Sequence, residues 1–243
     1  MKASFALGVC LLTLSGCMTT GVHVTRSLNN TAWGYQKVTS PVRAGEIAQR
    51  FELRAGDCGS DEHGSDCDRN AERSEVASTV RWDVDDTVWA SGSVYVEPDF
   101  KTNDGWTHII QFKSSNPKGL KRNPQPFSLT LTRGRFVATF GWVDAADEQQ
   151  FEQVDLGPSN QLENRWTDFI IGMGPDIGNT IVVYKNGQKI VSRPMRYLDA
   201  VDTYLKYGIY RYKGDFTNVL VWDEIRLGSS KDDVGLDLNN PVD

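Results

Sequence analysis

Thr180-Ile-Val-Val-Tyr-Lys-Asn-Gly-Gln-Lys-Ile-Val191 has the sequence pattern of a β-hairpin. Two runs rich in β-branched residues flank Asn186-Gly187, and an Asn-Gly pair favours the tight turn whose twist matches that of paired strands. A second hairpin is predicted where residues 127–132 and 136–140 flank Arg133-Gly134-Arg135. The chain therefore contains antiparallel strands joined by short turns.

Further strands are predicted on both sides of these hairpins, because short apolar or alternating runs recur between turn residues. Together with the hairpins they make about eleven strands, and helical periodicity is almost absent. This pattern predicts an all-β sandwich or jelly roll, in which one sheet face can bind an extended polymer. The additional runs are 49–54, 74–82, 88–96, 108–113, 168–173, 204–212 and 218–227.

Composition sets limits on the class of protein. The 243 residues are 39% hydrophobic and 24% charged, as expected for one globular domain with a buried core. Lys and Arg number 26 against 32 Asp and Glu, a formal charge of -6, which argues against a nucleic-acid partner.

The N-terminus has the features of an export signal. Lys2 precedes an apolar run, 5–14, that is too short to span a bilayer, so we predict a signal peptide over residues 1–16. Leu14-Ser-Gly-Cys17 resembles the bacterial lipobox, in which the cysteine is acylated; the alternative is an ordinary signal peptide. We expect a monomer anchored through Cys17 to the bacterial outer membrane, with a tether over 17–40, a folded domain over 41–229 and a flexible tail over 230–243.

Two cysteines remain in the folded body. Cys58 and Cys67 are expected to form a disulfide that closes a polar loop in an oxidising compartment. A zinc site is the weaker alternative, since His63 alone cannot complete a tetrahedral shell. The acidic residues between 57 and 72 leave calcium as an alternative ligand, without EF-hand spacing, and no cofactor is expected to be required.

The strand Tyr204-Leu-Lys-Tyr-Gly-Ile-Tyr-Arg-Tyr212 carries the strongest functional pattern. Alternate residues of a strand share a face, so Tyr204, Lys206, Gly208, Tyr210 and Tyr212 point the same way. The glycine lets a ligand approach the backbone between Lys206 and Tyr210. The alternative is a solvent-exposed face whose tyrosines reflect strand propensity.

This Tyr-x-Lys-x-Gly-x-Tyr pattern is similar to the signature strand of the jelly-roll polysaccharide lyases: the alginate lyases and the heparin lyase I and glucuronan lyase group. Arg73-Ser-Glu-Val76 resembles their Arg-Ser-Glu-Leu strand, and Gln111-Phe-Lys113 resembles their Gln-x-His strand. Further resemblance lies in residues 166–171 and 222–228. The resemblance implies a concanavalin-like jelly-roll β-sandwich that binds an anionic polysaccharide and cleaves it by β-elimination at a uronic acid.

That reaction requires a neutralised carboxylate, a base and a proton donor. The resemblance assigns Arg73 and Gln111 to the carboxyl group and Tyr210 to proton transfer, with Lys206 as a cation that helps the phenol ionise. Arg73 could instead form a surface ion pair with Glu72 or Glu75, and Gln111 could be an inner-face amide.

Lys113 stands where the family has histidine and is the fifth candidate catalytic residue, since a lysine can neutralise a carboxylate although it is a poorer base unless desolvated. His108 is expected to point to the opposite face from Gln111, since the two residues are three apart on one strand. One tyrosine can serve both proton transfers when the abstracted hydrogen and the leaving oxygen lie on the same side of the ring. We therefore predict syn elimination at D-glucuronate or D-mannuronate.

The substrate is expected to bind a basic and aromatic rim, although a run of lysines is often only a solvated loop. Trp89, Trp106 and Trp142 are further candidates for stacking on sugars. Two rival functions are a non-catalytic glycan-binding lipoprotein and a jelly-roll glycoside hydrolase, whose paired-carboxylate Glu-x-Asp-x-x-Glu pattern does not appear in the sequence. The expected substrate-binding residues are Tyr204, Tyr212, Arg211, Lys118 and Lys121.

Overall fold

The computed structural model describes residues 22–27, 30–61, 64–115, 125–146, 148–196 and 202–236. These residues form β-strands joined by turns and four short 3₁₀ segments. The strands are β1 Val24–Arg26, β2 Tyr35–Val38, β3 Ala48–Leu53, β4 Ser60–Asp61, β5 Gly64–Ser65, β6 Ala71–Ser78, β7 Trp82–Asp83, β8 Val88–Val96, β9 Thr107–Ser114, β10 Phe127–Thr132, β11 Arg135–Val143, β12 Gln149–Pro158, β13 Trp166–Gly174, β14 Thr180–Lys185, β15 Gln188–Pro194, β16 Asp202–Tyr212 and β17 Asn218–Gly228.

Two large antiparallel sheets make up the body of the domain, and β4 and β5 form a separate two-stranded pair. One has the order β1-β6-β16-β9-β10-β11-β12, with β7 also paired to β16, and the other has the order β15-β14-β13-β8-β17-β3-β2. Large apolar side chains from both sheets are buried in one cluster, including Phe51, Phe112, Phe169, Tyr207 and Trp222. The predicted all-β jelly-roll sandwich is confirmed.

Both predicted hairpins are confirmed. β14 and β15 pair around Asn186 and Gly187, which have φ values of 48° and 79°. β10 and β11 pair around Arg133 and Gly134, whose φ values are 48° and 70°. Two successive positive φ angles are typical of the type I′ turn. Asparagine and glycine adopt such angles more readily than other residues, which explains the Asn-Gly pair in the β14–β15 turn.

The predicted tether is wrong for part of its length. Val24–Arg26 pairs with β6, and Tyr35–Val38 pairs with β3. Both are strands at sheet edges, where backbone hydrogen bonds hold a short segment that lacks a clean alternation of apolar residues. Cys17 and the predicted signal peptide lie outside the described residues. Within those residues, no helix is long and apolar enough to cross a membrane.

The predicted flexible tail is also wrong over 230–236. Asp232–Val234 forms a 3₁₀ turn, and Val234 is fully buried against Trp89 and Ile170 on the outer face of the second sheet. Arg226 donates a hydrogen bond to the carbonyl of Gly235. Val234, together with the partly buried Leu236, thus fixes a segment whose composition is otherwise polar.

A β-bulge in β9 determines which residues share the outer face of the first sheet. Ile109 and Ile110 are both buried in the core, and the pairing with β10 shifts beside them. His108 therefore pairs with Tyr210 while Gln111 pairs with Lys206. The extra residue restores His108 to the same face as Gln111.

Gly208 lies in β16 beside this irregularity, with φ +127°. A Cβ atom there would lie 2.4 Å from the Ser74 carbonyl oxygen and 2.7 Å from Phe51 Cδ1. We expect Gly208→Ala to lower the free energy of unfolding by more than the roughly 1–2 kcal/mol of a left-handed backbone alone.

Gly134→Ala is the matched control, because Gly134 also has positive φ but has open space around its Cβ position. Urea denaturation of the two variants measures the difference. Equal losses of stability would show that steric contact at Gly208 contributes nothing.

Candidate active site

The outward side of the eight-stranded sheet, called here the polar face, gathers the residues singled out from sequence. Tyr210 lies opposite Arg73 on β6 and opposite His108 on β9. Lys206 lies opposite Gln111. Three adjacent strands, β6, β16 and β9, thus place four of the five predicted catalytic side chains together, and Lys113 lies two residues beyond Gln111 on the same face.

Glu75 lies at the centre of this group. Its carboxylate accepts a hydrogen bond from Gln111 Nε2 and lies 2.6 Å from Lys206 Nζ and 3.5 Å from Arg73 Nη1. All four side chains are buried. Arg73 thus forms an ion pair with Glu75, as the alternative interpretation predicted, but this pair is buried and does not lie at the surface. Gln111 Oε1 has no hydrogen-bond partner among the described residues.

Arg73 is held from a second side by Asp66. Arg73 Nε donates to Asp66 Oδ2 at 2.5 Å and Nη2 donates to Oδ1 at 2.7 Å. Burial lowers the pKa of Arg73, but Glu75 and Asp66 outweigh it and raise the pKa above its ordinary value. The guanidinium is a fixed positive charge, and its Cζ atom lies 4.1 Å from the centre of the Tyr210 ring.

Tyr210 lies between Arg73 and an aromatic pair. The ring centroids of Tyr210 and Trp106 are 4.6 Å apart. Burial raises the pKa of Tyr210, and Arg73 is the main group that opposes this shift. Lys206 is paired with Glu75 and Arg73 is the cation against the Tyr210 ring, so the expected help of Lys206 in the ionisation of Tyr210 stays a prediction.

The two lysines differ in their surroundings. Burial lowers the pKa of Lys206, and Glu75 opposes the shift. Lys113 lies opposite Tyr204, and burial followed by repulsion from Lys206 lowers its pKa to about 7. Lys113 occupies the strand position that the family resemblance gives to histidine. Because its pKa is about 7, its charge changes near neutral pH.

His108 was missed by sequence reasoning, which placed it on the wrong face. Its ring stacks on Trp106 with centroids 4.7 Å apart, and Nδ1 lies 2.8 Å from Thr130 Oγ1. Burial, with repulsion from Lys113 and Lys206, lowers its pKa to about 3, so His108 is neutral at pH 7. The detectable signal was the doublet Ile109-Ile110, because two consecutive apolar residues break strand alternation.

The predicted substrate-binding residues divide into three groups. Tyr204 lies on the polar face beneath Arg81, and Tyr212 is exposed at the end of β16. Arg211 is wrongly assigned: it lies opposite Glu72 on the inner side, is 0% exposed and donates to the Glu72 carboxylate and the Phe216 carbonyl. Its odd position in the strand points it away from Tyr210. Lys118 and Lys121 lie outside the described residues.

The predicted Cys58–Cys67 disulfide is confirmed, with Cα atoms 5.4 Å apart. It closes the loop that carries Asp66, the partner of Arg73. Nearby acids bind protein donors: Asp57 accepts from the Trp33 indole and the Arg54 amide. Within the described part of the chain, no three potential metal ligands cluster, and the calcium alternative stays untested.

A jelly roll whose polar sheet face holds tyrosine, lysine and aromatic side chains belongs to the class of folds that can hold an extended chain of sugars. The model of the polysaccharide lyase family matches residues 13–226. The chain belongs to this family and is a polysaccharide lyase. No curated protein matches the sequence.

Solved structures share the fold. The chain is similar to the endo-β-1,4-glucuronan lyase of the fungus Trichoderma reesei, with a TM-score of 0.69 and 12% identity over 89% of this chain and 94% of that one. It is similar to a family 7 alginate lyase, A1-II′, with TM-score 0.59, 12% identity and coverage of 83% and 85%. It is also similar to alginate lyase AlyC3 in complex with dimannuronate, with a TM-score of 0.51 and 14% identity over 76% of this chain and 76% of that one.

Lys113 provides a test of the electrostatics that needs no substrate. We expect its amino group to titrate near pH 7 rather than near 10.5, because burial and Lys206 disfavour the charged form. NMR of the lysine side-chain carbons against pH measures this, with Lys113→Arg to assign the signal and Lys189, in the β14–β15 hairpin, as the control. Titration of Lys113 at the ordinary lysine pKa would contradict the arrangement.

Proposed function

We propose that this lyase cleaves a uronic-acid polysaccharide by syn β-elimination at D-glucuronate or D-mannuronate, with Tyr210 transferring the proton. The observation that carries the proposal is the position of Tyr210. Its ring stacks on the Arg73 guanidinium and borders the Lys206–Glu75–Gln111 group.

The reaction begins at a weakly acidic proton next to a carboxylate. Lys113, Lys206 and Arg73 supply positive charge around Tyr210, and Glu75 and Asp66 hold two of these cations in place. We propose that Lys113, which lies on the same face as Gln111 at the strand position where the family has histidine, contacts the substrate carboxylate directly. Arg73, Lys206 and Gln111 then stabilise the charge that develops on it.

Proton transfer at Tyr210 balances as follows. The phenolate oxygen takes the proton on C5, the C5–H electron pair forms the C4–C5 double bond, and the C4–O bond breaks. The phenol then gives the proton to the departing glycosidic oxygen, which restores the phenolate. Burial raises the pKa of Tyr210 and favours the protonated phenol in the free protein. The positive charge of Arg73 opposes this shift and stabilises the phenolate.

The neighbourhood of His108 supports one-residue proton transfer. Both ring nitrogens face protein groups: Nδ1 is 2.8 Å from Thr130 Oγ1 and Nε2 is 3.4 Å from Gln125 Nε2. A neutral imidazole held in this way is a poor second base. Two structural neighbours are consistent with D-uronates, since one is named for glucuronan and another contains dimannuronate.

The test is an incubation of the protein with glucuronan, polymannuronate, polyguluronate, hyaluronan and heparin. We expect ultraviolet absorbance of an unsaturated uronate from glucuronan or polymannuronate. Tyr210→Phe should lower the rate by at least about a hundredfold while the fold is retained, since it removes the proton carrier. Tyr184→Phe, in the second sheet, is the control and should keep the activity.

Other outcomes would exclude the proposal. Ready cleavage of polyguluronate without cleavage of glucuronan or polymannuronate would contradict syn elimination. Reducing ends without the absorbance would indicate hydrolysis, and binding without either product would indicate a glycan-binding protein.

We also propose that Cys17 carries a lipid that anchors the enzyme to the outer membrane. The proposal is supported by the short apolar run before Leu14-Ser-Gly-Cys17. In a bacterial host, the wild type should incorporate radiolabelled palmitate and Cys17→Ser should not. Palmitate on the Cys17→Ser variant would refute the lipid site.

A further inference from the structure

The polar face extends beyond the proposed reaction centre to the edge of the sheet. A line of polar side chains runs across five strands through directly opposed positions: Lys206, Gln111, Ser128, Thr139 and Gln153. Gln153 Nε2 donates to Thr139 Oγ1 at 3.3 Å. The surface that carries Tyr210 is therefore continuous with the outward side of β12.

Phe151 interrupts the polar character at this edge. It lies two residues before Gln153 and so shares its face. Phe151 is 50% exposed, whereas the phenylalanines of the neighbouring strands β10 and β11 are buried in the core. Phe151 therefore presents an apolar ring surface to solvent among the polar side chains of this face.

Gly141 gives the Phe151 ring its support. The two residues are directly opposite in the β11–β12 pairing. A Cβ at Gly141 would lie 3.0 Å from Phe151 Cε1 and 3.1 Å from Cδ1, so the ring occupies the space that a side chain would take. One side of the ring is covered by β11, and the rest remains open to solvent.

We propose that Phe151 is a platform on which a distal sugar ring of the bound polysaccharide stacks. This inference rests on the proposed function. The row of directly opposed residues through Tyr210 reaches β12 at Asp155, four strand spacings of about 4.8 Å away, and Phe151 lies four residues from Asp155 along β12. Phe151 is therefore roughly 23 Å from Tyr210, a distance that several sugar residues span. The apolar face of a pyranose ring packs well on an aromatic ring.

Charge at this edge is compatible with a uronic-acid chain. The acids of β12 are paired: Glu152 with Arg193 at 3.2 Å and Asp155 with Arg135. The platform therefore binds through apolar contact, and the cations that attract carboxylates are concentrated near Tyr210. Its effect should depend on substrate length, because only a chain long enough to cross the sheet reaches it.

The experiment uses the polymer that the wild type cleaves and its oligosaccharides from disaccharide to octasaccharide. Phe151→Ala and Phe151→Leu should raise KM for the polymer and the longest oligosaccharides about tenfold and leave the shortest cleaved oligosaccharide unchanged. Phe151→Trp should retain the wild-type KM. Ile47→Ala, an equally exposed apolar residue outside the polar face, is the control and should change nothing.

Two results would overturn the platform. One is an unchanged KM at every length in Phe151→Ala. The other is an equal loss at all lengths, which would indicate a structural or reaction-centre effect. If the wild type cleaves nothing, the proposed function fails, and calorimetric binding of glucuronan and alginate oligosaccharides still tests the platform: only weaker binding of long chains by Phe151→Ala supports it.

Discussion

The buried carboxylate of Glu75 is the interaction on which the polar face depends. Lys206 and Arg73 are both removed from water, and a buried cation without a partner is strongly unfavourable. Glu75 lies against both of them and also accepts from Gln111, so one acid fixes three side chains from three strands. A protein of net negative charge thereby holds two cations at a defined place in the polar face, and overall charge says little about its ligand.

Backbone irregularity makes this arrangement geometrically accessible. β6 and β16 pair without a shift, while β9 contains the bulge at Ile109 and Ile110. The bulge turns His108 outward without removing an apolar residue from the core, since both isoleucines stay buried. Gly208 permits the close approach of β16 to Ser74 on β6, a contact that any side chain would prevent.

Local sequence features predicted much of this structure. The Asn-Gly hairpin, the disulfide and the outward face of Tyr204, Lys206 and Tyr210 follow from turn chemistry, cysteine number and a period of two. Strict alternation failed at His108, where a bulge changes the period. The role of Glu75 could not be predicted, because it depends on β6, β16 and β9 being neighbours, and strand order in a sandwich is set by long-range packing. Arg211 shows the converse: parity predicted its inward direction, but its positive charge was taken as a sign of ligand binding.

The loop closed by Cys58 and Cys67 ends one residue from Asp66, and Asp66 holds Arg73 in place against Tyr210. A disulfide forms in an oxidising compartment and not in the reducing cytoplasm. Without this bond, the position of Arg73 against Tyr210 would depend on a loop that only non-covalent contacts hold in place. A covalent bond outside the two large sheets thus supports the arginine that stacks on the Tyr210 ring.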